Sequence, residues 1–155
     1  MRLAITVLTV SLIVTACDSE AGSASRQQLS ESEIIAELST SGLPVTDIEA
    51  FDAASDPNGL LGRPGQYVIK VSWNDSRLAD ELDTGGTLEI FDSASDMQSR
   101  ADYVESIGAS TPMFLQWIFV DPTLMAVLRV GRGLTPAEAE EYETWLSGLS
   151  ARPNP

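Results

Sequence analysis

Histidine is absent from this sequence of 155 residues. The usual group that titrates between about pH 5 and 8 is missing with it, as are the commonest general base and the commonest metal ligand. Ser-His-Asp and Cys-His catalysis are excluded outright. Lysine occurs once, at Lys70, so a serine–lysine mechanism stands or falls on that position. Cysteine also occurs once, at Cys17, and a single thiol cannot bridge within its own chain. No apolar run reaches the roughly 20 residues that span a bilayer; the longest, Leu3 to Ala16, is interrupted by threonine and serine.

Positive charge is scarce as well. Nine basic residues stand against 23 acidic ones, a formal charge of −14. Nucleic-acid binding depends on neutralising phosphates with Lys and Arg, so no nucleic-acid partner is expected, and an anionic membrane surface repels such a chain. The plain reading is a soluble, self-repelling surface; the alternative is an attraction for cationic partners. The 43% apolar content suffices for one core in a chain of this length, without a disulfide scaffold.

The first residues are organised differently from the rest. Met1 and Arg2 precede the apolar run, and the pattern fits a secretory signal peptide rather than a span. The run ends in Val14-Thr15-Ala16-Cys17, which resembles the bacterial lipobox, an aliphatic residue followed by two small ones and Cys. The resemblance implies cleavage after Ala16 and a diacylglyceryl thioether on Cys17, with the fatty acyl chains of the new N-terminus serving as the lipid anchor. Two or more acyl chains anchor stably where one holds only marginally. Asp18 after the Cys is associated, in two-membrane envelopes, with retention at the inner one. Loss of residues 1–16 removes Arg2 and leaves the mature chain one unit more negative. Residues 17–28 then read as a flexible tether with about 18 Å of typical reach, and residues 29–155 as one domain.

Within that domain three helices are expected. Ser30 to Ser41 opens with the capping box Ser30-x-x-Glu33, with Leu29 and Ile34 placed as a hydrophobic staple and Gly42 as the stop. Ala94 to Ile107 follows Ser93 or Asp92 as cap, aligns Met97, Ala101 and Val104, and meets Gly108. The third starts at Leu134-Thr135-Pro136-Ala137-Glu138 and repeats Ala139, Tyr142, Leu146 and Leu149 at helical spacing. Five strands are expected at Val45 to Phe51, Gln66 to Trp73, Thr87 to Phe91, Met113 to Val120 and Leu124 to Val130. Alternation makes the second half-buried, and Asp121-Pro122-Thr123 reads as a hairpin connection between the last two. The helix after Thr87 to Phe91 suggests a crossover. The expectation is an α+β domain with two layers: a mixed or mainly antiparallel sheet of about five strands and helices packed on one face.

The stretch "DPNGLLGRPGQY" from Asp56 to Tyr67, followed by Lys70 and by Trp73-Asn74-Asp75-Ser76-Arg77, resembles a group of small extracytoplasmic proteins and lipoproteins of actinobacteria. Gly85 to Phe91, Ser99 to Tyr103 and Leu134 to Leu146 match further segments of that group. The resemblance spans most of residues 42–149 and implies class and location, with no activity attached.

Two loops hold the candidate chemistry. In Asp56 to Gly65, Gly62, Arg63 and Gly65, with Tyr67 behind them, are the candidate ligand loop, Arg63 offering a planar fork to a carboxylate or phosphate. The structural alternative is a rigid turn in which Gly59, Gly62 and Gly65 take positive φ and Arg63 pairs with acids; the Gly-Lys-Ser/Thr ending of a phosphate loop is missing. Asp75, Asp80, Glu81 and Asp83 lie close in sequence, but without the alternating order of a calcium loop, and no metal or cofactor is expected. Trp73, Trp117 and Trp145 read as core. No catalytic residue is assigned. The functional expectation is an extracytoplasmic lipoprotein, tethered to the bacterial cell membrane through Cys17, acting as a non-catalytic binding or interaction module for a protein or small ligand. The alternative is a histidine-free envelope enzyme or accessory using carboxylates or serine.

Overall fold

The computed structural model describes residues 29–78 and 84–152. Cys17, the leader and the tether lie outside the described residues, as do Asp80, Glu81 and Asp83.

Local signals set the helix starts. Helix α1 (Glu31–Thr40) begins at Ser30, whose hydroxyl accepts from the Glu33 amide while the Glu33 carboxylate accepts from the Ser30 amide. Leu29 and Ile34 join the same apolar cluster, and Gly42 follows the helix at φ +82°, a left-handed stop. Helix α3 (Pro136–Ser150) repeats the capping box with Thr135 and Glu138 and buries Ala139, Tyr142, Leu146 and Leu149. Helix α2 (Ala94–Ser110) is capped by Ser93 and runs past Gly108. That glycine is no stop. A Cβ there would sit 3.1 Å from Leu115 Cδ2 and 3.4 Å from its Cα, so Gly108 lets the chain after the helix return close against it.

The five strands are β1 (Val45–Ala50), β2 (Ile69–Asp75), β3 (Gly85–Ile90), β4 (Gln116–Asp121) and β5 (Ala126–Gly131), in sheet order β1-β2-β3-β5-β4. Every neighbouring pair is antiparallel. The crossover through α2 leaves β4 parallel to β3 but one position away, and β5 fills the gap by folding back from β4. Asp121 shapes that reversal by accepting from the amides of Thr123 and Leu124. Residues 66–68, expected in the second strand, instead close the preceding loop: the Gly62 amide donates to the Tyr67 carbonyl.

The α+β class and the five-stranded sheet agree with expectation; the placement of helices on one face does not. Ile69, Val71 and Trp73 of β2, Leu88 and Ile90 of β3, and Ala126, Leu128 and Val130 of β5 pack with residues of α1 and α3 in the main core. Strand alternation turns Val127 to the opposite face, where it packs with Met97 and Ala101 of α2 and with Leu61, Tyr67 and Phe91. The reason lies in the central strands, whose second face is also buried: Lys70 is 4% exposed and Glu89 0%. Helix α2 and the loop leading to β2 cover it. Trp73 stacks on Tyr142 at 5.8 Å and meets Trp145 edge-on, and Trp117 Nε1 donates to the Leu134 carbonyl, so all three tryptophans serve packing.

Candidate functional site

Charged residues facing α2 organise this second face into two networks. The first centres on Asp56. Its Oδ1 accepts from Lys70 Nζ at 2.7 Å; its Oδ2 accepts from the Tyr67 hydroxyl at 2.8 Å and from the amides of Leu60 and Leu61 at 2.8 and 3.0 Å. Burial alone would raise the Asp56 pKa. The Lys70 ammonium and these three donors more than offset it and hold the carboxyl well below the usual range. Burial, together with the neighbouring Asp56, pushes the Tyr67 phenol up to about 12. Lys70 Nζ also lies over the rings of Phe51 and Tyr67, 4.8 and 5.6 Å from their centroids. Among the described residues its partners include no serine hydroxyl, so no serine–lysine pair is formed there.

The second network centres on Glu89 in the middle of β3. Arg100 of α2 donates to it through Nε and Nη2, both at 2.8 Å, and Arg129 of β5 through Nη2 at 3.0 Å. Arg129 Nη1 donates to Gln116 Oε1 at the start of β4. Burial alone would lower the Arg100 pKa; the Glu89 carboxylate raises it above its ordinary value. Arg100 sits on the helix face that carries Met97 and Val104, and its guanidinium lies over the rings of Tyr67 and Tyr103.

Above Arg100 and Arg129 opens a cleft of about 770 Å³. Its polar lining is Arg100, Arg129, Gln116 and Asn58. Its apolar lining is Leu60 from the loop, Tyr103, Val104 and Ile107 from α2, and Met113 and Phe114 from the 3₁₀ turn Pro112–Phe114. The arginine side chains are 10% and 15% exposed, whereas Tyr103, Met113 and Phe114 are 56%, 65% and 55% exposed. Cations therefore form the floor and aromatic and thioether groups the mouth. A smaller hollow of about 250 Å³ shares Leu60, Arg100 and Tyr103 and extends past Gly65 and Asp96.

The candidate ligand loop is placed differently from a pocket around Arg63. Gly59, Gly62 and Gly65 have φ of 60°, 75° and 74°, the rigid-turn geometry. Arg63 is exposed and has no ion-pair partner among the described residues. Tyr67 is buried beneath the loop on Asp56. Of Gly62, Arg63, Gly65 and Tyr67, Gly65 borders the smaller cavity, while the loop reaches the main cleft through Asn58 and Leu60. Asp75 accepts from the Arg77 fork and from the Tyr142 hydroxyl at 2.7 Å, fastening β2 to α3.

Glu89, Arg100, Arg129 and the turn at Met113 and Phe114 were not singled out from the sequence. The sequence offers one signal among them, Arg100 at helical spacing within the stripe of Met97 and Val104; Glu89, alternating with Leu88 and Ile90, reads as solvent-facing. Comparison with protein families, with curated proteins and with solved structures finds no match to this chain.

Proposed function

We propose that this chain is a lipid-anchored binding module of the bacterial envelope that captures its ligand in the cleft between α2 and the turn at Met113 and Phe114, without catalysing a reaction. The cleft carries the reading. Its size falls in the roughly 300–1,000 Å³ typical of small-molecule sites, and it combines an apolar lining with a few convergent polar groups. Tyr103, Met113 and Phe114, all exposed and all lining this cleft, add apolar surface of the kind found at interaction sites.

The chemistry around the cleft supports binding over turnover. Glu89 is committed at both oxygens to arginine donors, and Asp56 is held ionised by Lys70 and three further donors. Asp56, held well below the ordinary carboxylate range, is no group poised to exchange a proton near neutral pH. The anchor rests on the lipobox at Val14 to Cys17 and on the tether behind it.

Native mass spectrometry of the chain released from its own membranes tests the reading. A non-covalently bound mass on the wild type that disappears in Phe114→Ser is expected. Cys17→Ala should leave the membrane fraction while keeping the same bound mass. Retention of that mass by Phe114→Ser would place the ligand elsewhere and refute the cleft.

A further inference from the structure

We infer that the ligand of this cleft is a small amphiphile with a singly charged anionic head, a carboxylate or a phosphate diester, on an apolar tail. The inference rests on the cleft being the binding site. It follows from how charge is distributed within it.

Two guanidiniums share one carboxylate, so the floor holds one cation more than Glu89 neutralises. Arg100 uses Nε and Nη2 on Glu89, and its Nη1 makes no hydrogen bond among the described residues. No carboxylate lines the cleft among the described residues, although the chain carries 23 acids. Glu89 holds both guanidinium planes in place, a pre-oriented donor set for an oxygen anion.

The same charges limit the head to about one negative unit. The chain as a whole is at −14 and repels anions at long range. A polyanion meets that repulsion several times over, with one uncompensated cation in return. A monoanion meets it once, and salt screens it within about 8 Å at physiological ionic strength. Affinity must then come mainly from apolar contact, which Tyr103, Met113, Phe114 and Ile107 supply between the arginines and the mouth. The occupant is thus oriented head inward and tail outward.

Isothermal titration of the full chain in nanodiscs, with empty nanodiscs subtracted, tests this using octanoate, dihexanoylphosphatidylglycerol and octanol as probes. At least one of the two anions should bind roughly tenfold or more tightly than octanol. Octanoate alone identifies a carboxylate head; the phosphatidylglycerol alone identifies a lipid phosphodiester; both binding supports the shared chemistry. Arg100→Lys, which keeps the charge and loses the fork, should weaken the anion about fivefold or more with octanol unchanged. Because Arg100 also holds Glu89, exposed Phe114→Ser provides the second arm and should weaken anion and octanol alike. Equal binding of octanol and both anions, or no binding of any, overturns the inference. If a bound mass sensitive to Phe114→Ser is nonetheless found on the native protein, capture in the cleft stands and only the assigned ligand class falls.

Discussion

Replacing Lys70 with methionine should destabilise the fold strongly, and by an amount the geometry bounds. The substitution keeps an unbranched apolar stem but strands the Asp56 carboxylate, whose side chain is 0% exposed. Breaking a buried ion pair by removing one partner typically costs about 3–5 kcal/mol. Asp56 retains the Tyr67 hydroxyl and the Leu60 and Leu61 amides, which places the loss near the lower end, about 3 kcal/mol. For a domain of this size that is a fall in Tm of about 6–12 °C. Urea titration followed by tryptophan fluorescence measures it directly. The pH dependence gives a second reading. A carboxyl whose folded pKa is depressed contributes stability that is present above its unfolded value, ordinarily 3.8, and lost as pH falls through the lower folded value. In the wild type that contribution is lost progressively as pH falls from 3.8 toward the lower folded value; without Lys70 the folded pKa rises, so the variant has less of this stability to lose on acidification. The variant's deficit is therefore largest near neutrality and narrows in acid. A cost under about 1 kcal/mol at pH 7, the size expected of an exposed pair, or parallel pH profiles, would refute the reasoning.

Other perturbations have equally definite outcomes. Gly86→Ala places a Cβ 2.5 Å from the buried Trp73 ring and should cost about 1–3 kcal/mol, with a changed near-UV circular dichroism signal; an unchanged spectrum and midpoint would contradict the packing described. Thr135→Ala removes the cap of α3 and should lower stability by about 1 kcal/mol in urea, with Thr135→Ser restoring most of it. Mass spectrometry of the chain from native membranes should find Cys17 as the N-terminal residue bearing acyl chains; a free thiol with residues 1–16 still attached would remove the anchor.

Local chemistry was the most legible part of the fold. Capping boxes at Ser30 and Thr135 are complete within four residues, and each starts a helix where its pattern predicts. The alternation of Ile69, Val71 and Trp73 likewise identifies a strand and its core face. The opposite face was illegible because Lys70 and Glu89 in mid-strand read as solvent-facing. Their burial depends on partners 14 and 11 residues away, and on Arg129, 40 residues from Glu89. No local period reports such pairings. The loop from Asp56 to Gly65 was recognised as distinctive, yet its central group is the buried acceptor Asp56 rather than the exposed Arg63. Gly108 shows the same limit: a glycine after a helical stripe reads as a stop until the returning Leu115 is seen against it.

The most direct test of cleft capture is photo-cross-linking in living cells, with a benzophenone amino acid replacing Phe114 or, as a control, Glu140 on the exposed side of α3. An adduct of defined mass is expected from position 114, reduced when Arg100→Lys is also present, and none from position 140. Equal labelling from both positions, or an adduct from 140 alone, would contradict cleft capture.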